Sequence, residues 1–456
     1  MASMTADALI LFGITGDLAR RALFSALYDL TRADKLDMPV IGVARSDWDD
    51  ETLRERAREA LEDAEDEVDE EAFQKLAGNL TYVSGDYREP DTFEAIAKKV
   101  GDAKCTVAYL AIPPDLFDDV VTGLANVGLN ENGRLVLEKP SGRDLESALS
   151  LNEIVHNHYP EERVYRIDHF LGKEAVQNLM VFRFSNTILE PVWNRHYVSN
   201  VQITLAEEFG VEGRGSFYDS VGAVRDVIQN HLLQVLSVLA MEPPVSENAN
   251  ALRDERVKVL EAIQALTPAS MVRGQYEGYQ DEPGVETGST TVTYAAVRLE
   301  VDSWRWAGVP WIIRAGKGLK STVTEAVVEF VRPPRPLFAS SDRRPGPNRL
   351  TFRTKPDNEI SMELQAKEPG PEMESGPVEL HLQHDRMRGR DPYDRLIEDA
   401  LRGDQTLFAR QDEVLEAWRV VDGLLLDDAE PHRYVRGSWG PVEADELLGD
   451  GTWATT

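Results

Sequence analysis

The chain has 456 residues, enough for two domains or three with cores of their own. Its 80 acidic and 49 basic residues leave a formal charge of −31, which argues against nonspecific affinity for nucleic acid or an anionic membrane. The single cysteine, Cys105, excludes an internal disulfide framework and a multi-cysteine metal site; with no basic leader and no run of about 18 apolar residues, a cytoplasmic protein is expected.

Ala8–Phe12 is an apolar run that ends in Gly13-Ile-Thr-Gly16, and Asp17 to Leu30 carries apolar residues at helical spacing. Strand, tight turn and helix are predicted. Such a junction lets the backbone approach a pyrophosphate, which then rests on the unpaired N–H groups of the helix N-terminus. The glycine spacing is not the usual G-x-G-x-x-G, and an ordinary glycine turn has the same look. A second strand signal, Pro39–Ala44, is followed by Arg45, where an NAD site usually has an acid for the ribose 2′-OH. Arg45 suits a 2′-phosphate, and Asp47 leaves NAD use open. Between Glu51 and Glu71, acids interleave with Leu53, Ala57, Ala60, Leu61 and Ala64, the pattern of a solvated helix face rather than a metal site. Thr106–Ile112 and Arg134–Leu137 add two buried strands, so a doubly wound parallel sheet follows.

Arg166-Ile-Asp-His-Phe-Leu-Gly-Lys-Glu174 packs a carboxylate, an imidazole and an ammonium into one short stretch. A helix starting after Asp168 would put His169 and Lys173 on one face at i, i+4, able to grip one anion; Asp168 would be its N-cap or aim elsewhere. Beyond residue 168 the pattern changes. Ser199–Leu205, Thr290–Leu299 and Thr324–Phe330 alternate like half-buried strands, and Ser220–Leu239 and Arg253–Leu266 read as helices. The prediction is a Rossmann α/β domain over 1–168, then an α+β domain over 169–456 built on a large, mostly antiparallel sheet. Residues 332–348, rich in Pro and Arg, read as a long loop.

Set together, Gly13-Ile-Thr-Gly-Asp-Leu-Ala-Arg20, Tyr109-Leu-Ala-Ile-Pro-Pro114, Glu138-Lys-Pro140, the 166–174 segment, Arg225-Asp-Val-Ile-Gln-Asn-His-Leu-Leu233 and Arg314-Ala-Gly-Lys317 resemble glucose-6-phosphate 1-dehydrogenases, in the same order and from about residue 8 to the C-terminus. The resemblance implies oxidation of β-D-glucose 6-phosphate to the 1,5-lactone with NADP, in a homodimer or homotetramer. It implies that His231 is the base, oriented by Asp168. A His of near-neutral pKa suits removal of the C1 hydroxyl proton, and a carboxylate on the other ring nitrogen fixes its tautomer. Alone, the stretch Gln229–Leu233 reads more readily as a core helix with a structural His. The resemblance further assigns His169 and Lys173 to the 6-phosphate, with Lys317 near the substrate. It places Lys139 between sugar and cofactor, gives Glu207 and Asp226 the sugar hydroxyls, and sets Gly13, Thr15, Gly16, Asp17, Leu18, Arg45 and Tyr109 against the cofactor.

Several positions depart from the family pattern. Phe170 stands where many members have Tyr, Ala22 and Ala206 stand where Lys is common, and Ser141 replaces a Phe. Loss of the hydroxyl at 170 is worth about 0.5 to 3 kcal/mol of substrate binding. Thr322, Val323 and Val327 replace basic residues of a second, structural NADP site, whose absence is expected. Two rivals remain: a sugar oxidoreductase of the glucose-fructose oxidoreductase type, and an NADP sensor without turnover. The 166–174 segment with Asn230-His231-Leu-Leu233 fits the phosphate-binding enzyme better than the first. Retention of both Asp168 and His231 argues against the second.

Overall fold

The computed structural model describes residues 4–335, 337–338, 345–382, 391–427, 429–449 and 451–455. Two compact units divide the chain. The first comprises Met1–Lys173, Val245–Arg253 and Gly389–Leu415; the second comprises Glu174–Pro244, Asp254–Arg388 and Glu416–Thr456.

In the first unit, six parallel strands form one sheet: β1 (Ala8–Phe12), β2 (Val40–Ala44), β3 (Leu80–Ser84), β4 (Thr106–Leu110), β5 (Arg134–Leu137) and β6 (Val164–Arg166). Their spatial order is β3-β2-β1-β4-β5-β6, the doubly wound arrangement. β1, β2, β4 and β5 are buried along their whole length, because helices cover both faces of a parallel sheet. Leu9 and Leu11 of β1 pack with Leu27 of α1 (Phe24–Arg32), Leu53 of α2 (Asp50–Ala64) and Phe73 of α3 (Glu70–Asn79). Ala8, Ile10 and Phe12 pack on the other side with Phe93 of α4 (Pro90–Val100), Val120 of α5 (Phe117–Asn126) and Leu151 of α6 (Leu145–His156).

The first layer is completed by the helix Pro392–Arg402, whose Leu396, Ile397, Ala400 and Leu401 join the α1 side. Its C-terminal carbonyls, orphaned by helix geometry, accept from the buried guanidinium of Arg134: Ala400 O at 2.8 Å and Leu401 O at 2.7 Å. Ala6 N–H donates to the same Leu401 carbonyl at 2.8 Å. Gln405, just beyond this helix, donates to Glu161 O and Val164 O, at the start of β6.

The second unit holds a nine-stranded sheet: β7 (Val198–Ala206), β8 (Met271–Tyr276), β9 (Tyr294–Glu300), β10 (Pro310–Gly316), β11 (Val323–Phe330), β12 (Arg349–Lys355), β13 (Glu359–Lys367), β14 (Ser375–Leu382) and β15 (His432–Tyr434). The order is β14-β13-β12-β11-β7-β10-β9-β8-β15. Only β7/β10 and β8/β15 pair in parallel, so the sheet is mostly antiparallel as expected. α7 (Glu174–Ser185) packs on β12 and on a later helix, Leu233–Ala240. The helix expected over 253–266 runs Ala249–Glu261 instead. The expected loop 332–348 lies partly outside the described residues, at 336 and 339–344. The C-terminal residues return to the strands: Gln202 of β7 exchanges hydrogen bonds with Thr452 O and Ala454 N–H, and Arg314 of β10 donates to Thr455 O at 2.7 Å.

Candidate active site

The first unit carries the cofactor candidates. β1 ends in Gly13 at φ +80, where a Cβ would lie 2.2 Å from the Ala111 carbonyl oxygen, so only glycine fits. Gly13 N–H donates to Val43 O at 2.9 Å and to Tyr87 OH at 3.0 Å, and Gly16 N–H donates to Gly13 O at 2.9 Å. The chain then turns helical at Asp17, passes through a π-helical stretch at Ala19–Leu23 and enters α1. Thr15 and Leu18 are partly exposed and Asp17 is exposed at this helix start, whose first N–H groups have no intrahelical acceptor. A backbone cradle without Cβ and free donors fit a dinucleotide pyrophosphate.

Arg45 follows β2 at the surface and pairs with Asp86 at 2.9 Å. The backbone N–H of Arg88 and the Arg45 guanidinium hold the Asp86 carboxyl below its usual value. Tyr109 lies in β4. Its side chain is 1% exposed within the sheet layer, and its hydroxyl donates to Glu138 Oε1 at 2.5 Å. Lys139 follows Glu138 and is joined to Pro140 by a cis peptide bond.

The 166–174 segment also departs from the expected helix. Asp168 Oδ1 accepts the Phe170 N–H at 2.9 Å, and successive tight turns follow: Leu171 N–H to Asp168 O at 3.0 Å and Lys173 N–H to Phe170 O at 3.1 Å. A short acid bonding two residues ahead diverts the chain from helix, and α7 begins only at Glu174. His169 and Lys173 therefore do not share a helix face. The His169 ring stacks on Tyr393 at 6.5 Å and 19°, and Lys173 Nζ lies 3.4 Å from the centroid of Phe170. The Phe170 ring thus offers its face to this cation.

The second unit gathers the remaining candidates. Lys317 leaves the end of β10 and its Nζ lies 2.5 Å from Glu207 Oε2 at the end of neighbouring β7. The parallel register, Gly316 beside Ala206, aligns the two strand ends. Lys317 is further fixed through its backbone: its N–H donates to Thr293 O at 2.9 Å and its carbonyl accepts from Tyr434 OH at 2.7 Å. Lys317 Nζ also lies 5.2 Å from the rings of Phe209 and Tyr218. Burial pushes the Tyr218 phenol well above its usual pKa, and the neighbouring charges of Asp226 and Glu207 push the same way. Tyr218 thus lies beside the Lys317–Glu207 pair, and no motif pointed to it.

Asp226 and His231 share the π-helical stretch Val224–Leu232, entered from the helix α8 (Gly215–Ala223) through Gly222 at φ +65 and left through α9 (Leu233–Ala240). In an α-helix residues five apart diverge by about 0.4 of a turn, and the wider π turn reduces that divergence. Asn230 inserts its amide into this ladder, donating to Arg225 O at 2.9 Å and accepting His231 N–H at 2.7 Å. His231 is 2% exposed and Asp168, in the first unit, 5%. No helix among the described residues is long and apolar enough to cross a membrane.

Residues 10–178 match the family domain described as "Glucose-6-phosphate dehydrogenase, NAD binding domain", and residues 180–454 match "Glucose-6-phosphate dehydrogenase, C-terminal domain". The chain belongs to the glucose-6-phosphate dehydrogenase family. Among glucose-6-phosphate dehydrogenases, "Glucose-6-phosphate 1-dehydrogenase 1" of Mycobacterium bovis is 44% identical over 97% of this chain and 94% of its own. The crystal structure of the Mycobacterium avium glucose-6-phosphate 1-dehydrogenase superposes with a TM-score of 0.93 at 44% identity, covering 100% of this chain and 99% of that one. A glucose-6-phosphate dehydrogenase solved in complex with its substrate glucose 6-phosphate superposes at 0.91 and 35% identity, over 99% of each chain. Membership in the glucose-6-phosphate dehydrogenase family makes the chain an oxidoreductase with a nicotinamide-dinucleotide domain.

Proposed function

We propose that the protein oxidises D-glucose 6-phosphate at C1 to 6-phospho-D-glucono-1,5-lactone, the first step of the oxidative pentose phosphate pathway, with NADP as the preferred acceptor and NAD use open. The observation that carries this reading is the match to both family domains along nearly the whole chain. The bound dinucleotide supplies the hydride acceptor. His231 takes the proton of the C1 hydroxyl while the C1 hydrogen leaves as hydride and the C1 carbonyl forms. Asp168 is its orienting carboxylate. His169 and Lys173 hold the 6-phosphate, with Lys317 near the substrate. Glu207 and Asp226 accept from sugar hydroxyls, and Lys139 stands between sugar and cofactor.

Gly13, Thr15, Gly16, Asp17 and Leu18 form the pyrophosphate turn, and Arg45 meets the 2′-phosphate. The division at residue 168 is one of labour: cofactor before it, substrate and self-association after it. The protein is assigned to the cytoplasm as a homodimer or homotetramer.

The test is NADP reduction with glucose 6-phosphate, glucose and galactose 6-phosphate. Turnover of glucose 6-phosphate is expected to dominate. Activity confined to unphosphorylated sugar overturns the reading.

A further inference from the structure

An α-helix leaves its last carbonyls without partners inside the helix. In α9 the Met241 N–H closes on Ser237 O at 2.9 Å, and the next four carbonyls each meet a side chain from elsewhere in the second unit. Val238 O and Met241 O accept from the Arg183 guanidinium at 2.6 and 3.0 Å. Leu239 O accepts from the Trp193 indole and Ala240 O from the Trp306 indole, both at 2.8 Å. These donors come from α7, from the segment before β7 and from the turn between β9 and β10, and all three are buried. The two indoles meet edge to face, with centroids 6.4 Å apart, and Arg305 ties their segments together by donating to Trp193 O at 2.8 Å. All eight residues of α9 are buried as well, where an unpaired carbonyl is costly.

α9 continues directly from the π-helical stretch Val224–Leu232 that carries His231. A π turn holds more residues than an α turn and is found mostly as a short interruption of an α-helix. Each residue by which the register relaxed toward α geometry would turn α9 by about 100° and shift it by about 1.5 Å. Such a movement would take four carbonyls from their donors at once. The near end of the stretch is fixed too, through Gly222 at φ +65 and the Ala223 N–H on Val292 O at 2.9 Å. The geometry points to Arg183, Trp193 and Trp306 as positioning residues for His231: by clamping the far end of its helix they hold the π register that sets where the imidazole points. This rests on the assignment of His231 as the base. None of the three touches sugar or cofactor in this role.

The test separates turnover from binding. Trp193→Phe and Trp306→Phe keep an aromatic ring and delete one donor each, and kcat with glucose 6-phosphate should fall by about 2- to 10-fold in each, the scale of one hydrogen bond. Arg183→Met deletes two donors and should lower kcat by about 10- to 100-fold, as a misplacement of about 1 Å does. Arg183→Lys, which keeps a cationic donor, should recover part of that loss. KM for the nicotinamide cofactor should not move in any of them. In a His231→Asn background, Trp306→Phe should lower kcat little further, because it acts through the group already removed. Circular dichroism and thermal melts establish that each assayed variant is folded, and the two Trp variants decide if Arg183→Met does not fold. Impaired kcat in His231→Asn with unchanged kcat in the folded clamp variants overturns this inference alone. So does a loss of kcat by the same factor with and without His231, or a loss of cofactor affinity alongside it, as a purely structural role would give. Near-normal kcat in His231→Asn overturns the assignment of the base, and this inference with it.

Discussion

Lys317 Nζ meets Glu207 Oε2 at 2.5 Å across two parallel strand ends, so a cation near the proposed substrate is already held by an acid proposed to bind the sugar. Neither group can be altered without changing its partner. Lys317→Met leaves the Glu207 carboxylate without its cation in a site where the two side chains are 13% and 23% exposed. KM for glucose 6-phosphate should rise by about 10- to 100-fold, as for loss of a charged hydrogen bond, and the melting temperature should fall by a few degrees. Steady-state kinetics and a thermal melt check both. Unchanged KM would reject the substrate assignment of the pair.

His231→Asn preserves the shape of a side chain in the π-helical stretch but removes the base. Turnover should drop by roughly 10² to 10⁴ with the fold intact. Near-normal kcat measured at saturating substrate would sink the assignment.

Arg45 is exposed and already paired with Asp86, so its gain on meeting a 2′-phosphate is what remains after leaving that partner. Arg45→Ala should lower the NADP to NAD preference by roughly 10- to 150-fold. The ratio of kcat/KM for the two cofactors measures this directly. A preference that does not move assigns 2′-phosphate recognition elsewhere.

Gly13→Ala forces a Cβ toward a carbonyl oxygen 2.2 Å away, in a backbone conformation that side chains rarely adopt. A loss of about 2 kcal/mol or more in stability is expected, with cofactor affinity falling alongside. Equilibrium unfolding and cofactor fluorescence titration would show it.

Asp399 gives a pH signature. Burial raises its carboxyl to about 6, although Arg395 at 3.0 Å pulls the other way. The folded pKa thus exceeds the unfolded one, so its contribution to stability is present in full below about pH 4 and is lost as pH rises through about 6. Asp399→Asn should match the wild type near pH 4 and exceed it at pH 7 by roughly 1 to 3 kcal/mol. Urea melts at the two pH values decide it. A difference independent of pH would mean that Asp399 does not titrate in this window.

The strands of the first sheet were legible because buried parallel strands announce themselves as short apolar runs: β1 and β5 begin and end where the sequence predicts. The turn at Gly13 was legible for a local reason as well. The segment after Asp168 was not. Its charge spacing suits a helix, but the Asp168 side chain captures the Phe170 N–H, and Gly172 is pressed against Leu396 from a distant part of the chain. The bond from the Tyr109 phenol to Glu138 was not legible either, because it joins neighbouring strands far apart in sequence. Tyr218 carries no local signal, since its place beside Lys317 comes only from the tertiary fold. In the π-helical stretch around His231 an Asn side chain enters the ladder, which periodicity does not reveal.

The helix Pro392–Arg402 and its contact with Arg134 have a bearing on how the molecule is born. A chain emerging from the ribosome presents all six strands of the nucleotide sheet by residue 166, but the layer over one face still lacks Leu396, Ile397 and Leu401. The patch under that helix stays uncovered until most of the polypeptide has been made, a window in which an exposed apolar surface invites aggregation or a chaperone. Completion of that layer is therefore a late event in synthesis, even though the strands beneath it are among the first to appear.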